Sequence, residues 1–172
     1  LRVDPEHEEA RVSEEEIRML VDAGGERGSI EPEEREMISN VFEFNDISCE
    51  EILTHRTRVV TLRLDEGDEE WDQTIRDGRH SFYPVCGDTT DDVRGVLSAK
   101  EYFRLEDKGR ENVLRRAVAP ARFVPETIRA DVLFREMKRS RVHFAVALDE
   151  HGGFSGIITL NDLLEELVGD FT

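Results

Sequence analysis

Two stretches decide the fold: "FYPVCGDTTDDVRGVLSAKEYF" at residues 82–103 and "FAVALDEHGGFSGIITLNDLL" at 144–164. They superpose with Pro84-Val85 on Ala145-Val146, Gly95 on Gly156, Ser98 on Thr159 and Glu101 on Asp162, all at an offset of 61 residues. Such self-similarity marks two copies of one supersecondary unit. From residue 56 onward each copy reads strand, helix, strand, turn, strand, helix. In the first copy the segments are "RVVTL", "EEWDQTIRD", "FYPVC", "VRGVLS" and "AKEYFRLE". In the second they are "ARFVP", "ADVLFREMKRS", "HFAVALD", "FSGIIT" and "LNDLLEELV". The turn from Asp149 to Gly153 carries hairpin chemistry, with glycines able to take positive φ. One unit buries its sheet face poorly, so the pair is expected to pack sheet to sheet with helices outside, in an α+β or α/β fold.

Ahead of the repeats, the first 47 residues read as helix, turn, helix. "VSEEEIRMLVDAGG" opens with Ser13 and Glu16 at capping-box spacing and is expected to stop at Gly24-Gly25. "EPEEREMISNVFEF" has Pro32 in its first turn and Met37, Ile38, Val41 and Phe42 on one stripe. Acids at helix starts are accounted for by the helix dipole and by solvation more simply than by a bound divalent cation. The expected layout is a helical hairpin over 1–53, a first repeat over 54–112 and a second over 113–172.

Composition narrows the function. The net charge is -17 over 172 residues, which argues against nucleic acid, since phosphate backbones are held by basic faces. Lys100, Lys108 and Lys138 are the only lysines, and an acidic, lysine-poor chain suits a halophilic source, where salt screens self-repulsion. No apolar run approaches the length of a membrane span, and "LRVDPE" lacks the apolar core of a signal peptide. Cys49 and Cys86 form no metal-binding or disulfide pattern, which points to a reducing interior and away from zinc. One segment is basic: residues 104–143 hold 11 bases against 6 acids and end in "REMKRSRVH". An anion would be least repelled there, although a solvated helix face explains the same charges.

In both copies Gly and two apolar residues lead to a hydroxyl residue, with an acid three positions later. Ser98-Ala99-Lys100-Glu101 fully satisfies a capping box and needs no ligand. Thr159 and Asp162 differ: the shorter aspartate serves the reciprocal cap less well and is freer to accept from a vicinal diol. A helix N-terminus beside it favours phosphate, so the two needs of a ribose phosphate coincide. Arg141 and His143, just upstream, could reach the same anion, although a histidine beside a strand is more often simply structural. Catalysis finds no support: nucleophile elbow, Walker loop and His-Glu-x-x-His are all missing. Leu163, Leu164, Leu167 and Val168 read as a core or dimer stripe.

"RVHFAVALDEHGGFSGIITLNDLLEELVGD" at 141–170 and "EREMISNVFEFNDISCEEILTHRTRVVTL" at 34–62 resemble the cytosolic part of the CorC/HlyC family, hemolysin-related membrane proteins that include the CNNM magnesium transport mediators. The repeats are then similar to a tandem pair of CBS domains, a Bateman module. This resemblance implies a DUF21-type transmembrane domain ahead of the acidic linker, placing the fragment on the cytoplasmic face of the membrane. It also implies homodimerisation and regulation of magnesium or other divalent cation transport, with no reaction catalysed. The implied ligand is an adenosine nucleotide, ATP or AMP, possibly with Mg2+, whose charge would relieve the repulsion between an anionic ligand and an acidic protein. Carried over by position, Asp162 would hold the ribose hydroxyls, Thr159 and His143 the phosphates, and Thr57, Arg58 and Val59 would border the adenine. A second, weaker cleft would use Ser98, Glu101, Arg122 and Phe123. It departs from the pattern in having Glu101 for aspartate and Phe82 at the place of His143. The alternative is a structural dimerisation module whose clefts have lost ligand binding.

Overall fold

The computed structural model describes residues 11–169. The chain forms two compact units, one from residues 11–46 with 165–169, the other from 47–164. In the first unit, helices α1 (Glu14–Glu26) and α2 (Pro32–Phe44) form the expected hairpin. Ser13 and Glu16 close the capping box: the Glu16 N–H donates to Ser13 Oγ at 3.2 Å and the Ser13 N–H to Glu16 Oε2 at 3.3 Å. The helix does not stop at Gly24-Gly25. It runs on to Glu26, and the chain turns at Gly28, whose φ is 77°. Gly24 serves packing instead, because a Cβ there would stand 2.8 Å from Ile30 Cδ1.

The second unit holds two four-stranded sheets. Its strands are β1 (Thr54–His55), β2 (Leu62–Arg63), β3 (Phe82–Cys86), β4 (Val93–Ser98), β5 (Val118–Pro120), β6 (Phe123–Pro125), β7 (Phe144–Leu148) and β8 (Phe154–Thr159). Helices α3 (Asp68–Gly78), α4 (Ala99–Arg104), α5 (Arg110–Arg116), α6 (Ala130–Ser140) and α7 (Leu160–Val168) connect or follow them. One sheet runs β2-β3-β4-β5 and the other β1-β8-β7-β6. Each sheet therefore takes three strands from its own repeat and one from the other. The glycines before the caps make this exchange possible. A Cβ on Gly156 would collide with the backbone oxygen of Thr54 in β1, and one on Gly95 would lie 3.0 Å from the Ala119 oxygen in β5.

Strand register revises the repeat offset. Phe82 pairs with Ser98 as Phe144 pairs with Thr159, and Val85 pairs with Gly95 as Ala147 pairs with Gly156. Pro84 therefore matches Val146, not Ala145, and the counterpart of His143 is Ser81, not Phe82. The offset is 62 up to β3 and 61 from β4 onward, because the β3–β4 turn has one residue more than the β7–β8 turn. Helix α5 and strand β5 are additions to the expected elements. Arg110 holds this region by lying 3.7 Å over the Trp71 ring and donating to the Leu64 and Glu66 carbonyl oxygens.

Burial follows the periodicities. Trp71 and Ile75 on α3, and Leu133 and Met137 on α6, are fully buried at a four-residue spacing, as one helix face requires. Strands β3 and β7 are buried on both faces, which makes them continuous apolar runs instead of alternating ones. Phe144, Val146, Phe154 and Ile157 share one core cluster with Cys86, Val93 and Val96, joining residues of both sheets.

Both cysteines are free and buried. Burial first, then nearby acids led by Glu126 for Cys49 and Asp92 for Cys86, push the thiols up to about 12 and about 11. A raised folded pKa stabilises the native state below the unfolded thiol pKa of about 8.5 and loses that contribution as pH climbs through the folded values. The urea midpoint should accordingly fall between about pH 9 and pH 11. A disulfide reagent at pH 8 should react with both thiols only after unfolding, and rapid labelling of the native protein would contradict this burial.

Candidate functional site

Two clefts flank a shared wall in the second unit. The first, of about 560 Å³, lies between the β1–β2 segment and the start of α7. The second, of about 900 Å³, lies between the start of α4 and residues 119–122. Arg79, His80, Ser81, Phe82 and His143 line both. Backbone bonds fasten this wall to the two helix starts: the Leu160 N–H donates to His143 O at 2.8 Å and the Ala99 N–H to Ser81 O at 3.0 Å.

Of the residues expected in the first cleft, Arg58, Val59, His143, Thr159 and Asp162 line it together. Thr57 does not; its hydroxyl lies 2.9 Å from His55 Nδ1 in a local turn. Arg141 lines the second cleft instead, beside Ser98, Glu101 and Arg122. Phe123 is in neither lining and is 48% exposed. Sequence reading missed Arg79 and His80. With the corrected offset, Arg79 is the counterpart of Arg141, and that was the available signal. Both arginines follow a helix and take left-handed backbone angles, with φ 52° and 55°.

The two helix starts reverse the expected contrast. Thr159 and Asp162 form a complete capping pair, the Thr159 N–H donating to Asp162 Oδ2 at 2.9 Å and the Asp162 N–H to Thr159 Oγ1 at 3.1 Å. At the other start the Glu101 N–H reaches Ser98 Oγ at 3.4 Å, but the Ser98 N–H donates to Ala117 O, and Glu101 turns to Arg104. Strand exchange is the cause. The segment at β5 runs far enough along β4 to take the Ser98 amide, whereas β1 pairs only with Gly156 and Ile157. The Thr159 amide is left for the aspartate. Its cap uses Oδ2 and fixes the carboxylate at the cleft, with Oδ1 outside the capping pair.

Around that carboxylate the cleft offers Arg58, Arg79, His80 and His143 as donors, and Val59, Val60, Ile157 and Leu164 as apolar surface. A concave site of this volume, with an apolar patch and a few convergent polar groups, suits a small ligand that has both an apolar and an anionic part. Asp149 and Glu150 belong to a turn. The Asp149 carboxylate accepts from the Gly153 and His151 amides, which hold its pKa below the usual carboxylate range.

Comparison with known proteins fits this geometry. A solved structure described as the CBS domain of the bacterial CNNM/CorC family Mg2+ transporter is 34% identical, with a TM-score of 0.82 over 94% of this chain and 99% of that one. The chain belongs to the CNNM/CorC family. Residues 112–169 of this CNNM/CorC chain match the CBS domain by themselves, and the two-sheet fold is that of a CBS pair. A structure of the family's CBS domain in complex with ATP is 33% identical, with a TM-score of 0.71, covering 81% of this chain and 100% of that one. The UPF0053 protein Rv2366c of Mycobacterium tuberculosis is 37% identical over 163 residues, spanning 92% of this chain. The CNNM/CorC chain covers only 37% of that relative's length. Among the described residues no helix is long and apolar enough to cross a membrane.

Proposed function

We propose that this CBS pair binds an adenosine nucleotide, ATP with Mg2+ on its phosphates, in the first cleft and thereby regulates a membrane-embedded transporter of magnesium or another divalent cation. In this reading residues 1–53 are the acidic linker to a DUF21-type transmembrane domain on the cytoplasmic side, and the repeats of 54–112 and 113–172 form the sensor, which acts as a homodimer. The observation that carries it is the capped carboxylate of Asp162, which lines a cleft together with the guanidinium groups of Arg58 and Arg79 and the imidazoles of His80 and His143. Its Oδ1 suits the two hydroxyls of a ribose. The α7 N-terminus, Thr159 and the Arg79-His80-His143 wall suit the phosphates, and the Val59-Val60 edge with Ile157 and Leu164 suits the base. The ATP-bound family structure supports the same choice of ligand. At a net charge of -17, magnesium on the phosphates lowers the repulsion that free ATP would meet.

A thermal melt with ATP, ADP or AMP, each with and without Mg2+, tests it. A ligand that binds only the native state raises the midpoint, by about 2.7 kcal/mol of stabilisation at one hundred times its Kd. The expected order places Mg-ATP first. No shift with any nucleotide would favour the alternative of a purely structural dimerisation module.

A further inference from the structure

The wall of the first cleft carries two imidazoles, His80 and His143, set among groups that give them no anion. Each main chain is anchored: the His80 N–H donates to Tyr83 Oη at 3.1 Å, and His143 O accepts from the Leu160 N–H at 2.8 Å. In the first cleft they share the lining with Arg58, Arg79 and a single carboxylate, Asp162. One oxygen of that carboxylate is taken by the Thr159 amide at 2.9 Å, and the start of α7 adds its own positive end. Towards the second cleft the neighbours are Lys100, Arg122, Arg141 and Glu101. Glu101 is drawn to Arg104 at 3.3 Å, and Arg122 to Glu136 at 2.9 Å. Asp77, three residues ahead of His80 at the end of α3, accepts from Gln73 at 2.7 Å. Among the described residues no carboxylate stands within ion-pair distance of either imidazole, and no ring nitrogen of the two makes a hydrogen bond.

We propose that nucleotide binding in the first cleft draws protons onto His80 and His143, a coupling that rests on the nucleotide reading of that cleft and makes the site bind more tightly as the medium turns acidic. An imidazole ordinarily titrates near pH 6.5, inside the range where cells vary. Arg58 and Arg79 oppose a further positive charge on the wall while the cleft is empty, and phosphate oxygens within about 4–6 Å favour it once the nucleotide is seated. Coupling is reciprocal: if bound phosphate raises proton occupancy, protonation tightens the nucleotide by the same factor. Affinity therefore falls as pH climbs, whereas a carboxylate titrating at the site would give the opposite sign.

Calorimetry of Mg-ATP binding at pH 7, repeated in buffers of different ionisation enthalpy, reads the protons taken up. Roughly 0.5–1 proton per nucleotide is expected, and Kd should rise about fivefold or more from pH 6.5 to pH 8.5. A terminal phosphate itself titrates near about pH 6, so the decisive quantity is the difference between the wild type and the double variant His80→Gln with His143→Gln. Both side chains are exposed, so the variant should keep its fold while losing most of the uptake and flattening the pH profile. His151→Gln is the control, because His151 lies in the β7–β8 turn outside both linings; it should change neither quantity. Mg-ATP binding without proton uptake, or with uptake and profile unchanged in the double variant, would overturn the coupling and leave the nucleotide reading in place. Absence of binding across the whole pH range would remove both.

Discussion

Replacing Gly156 by alanine should destabilise the protein by about 3 kcal/mol, at the upper end of what overpacking a well-filled interior costs. The added methyl group meets the backbone oxygen of Thr54, which cannot rotate away as a side chain would. Strand β1 must therefore lift from β8, taking with it the Thr54 and Ile157 pairing. For a domain of this size each 1 kcal/mol moves the melting temperature by roughly 2–4 °C, so a fall of about 6–12 °C is expected. Gly67→Ala is the control, since its new methyl group would meet only the end of Glu70, at 3.8 Å. It should cost less than about 1 kcal/mol as an N-cap change. Equal stability of the two variants in urea would mean that β1 does not seat on β8 as described. Thr54 also lines the first cleft, so the Gly156 variant should lose nucleotide affinity along with stability.

Asp162→Ala should produce the largest change in binding. If the carboxylate accepts from the ribose hydroxyls, removing it forfeits charge-assisted hydrogen bonds worth about 1.5–3 kcal/mol, or roughly 10- to 150-fold in Kd. The same change removes the acceptor of the Thr159 amide and should cost about 1 kcal/mol of stability. Asp162→Asn separates the two effects, because its amide oxygen can still accept from the Thr159 amide while the charge is gone. Stability close to wild type with ATP binding weakened at least severalfold is expected. Calorimetry showing wild-type affinity in both variants would remove Asp162 from the site.

Local signals wrote much of this fold openly. The segments β3, β4, α6, β8 and α7 were legible because each has its own period, turn or cap. Strand β1 was not, because two residues carry no period, and the strand expected at "RVVTL" shrinks to Leu62 and Arg63 of β2, Arg58 lying instead in a 3-10 turn, because the places of both strands depend on partners elsewhere in the chain. The same limit explains the site. Asp162, Thr159 and His143 stood out by chemistry at a helix start, but the cap contrast came out reversed because the Ser98 amide is taken by a segment from the other repeat. Arg79 was hidden by the one-residue difference between the two turns, which only strand register reveals.

The exchange of β1 and β5 also orders the birth of the site in time. Thr54 meets Ile157 across a sequence separation of about a hundred residues, and such non-local pairings form late and slowly. During synthesis the edge of the first cleft cannot close until the chain beyond Thr159 has emerged. A first repeat released alone would carry half of each cleft and finish neither, so the proposed nucleotide binding should begin only once the whole pair has folded.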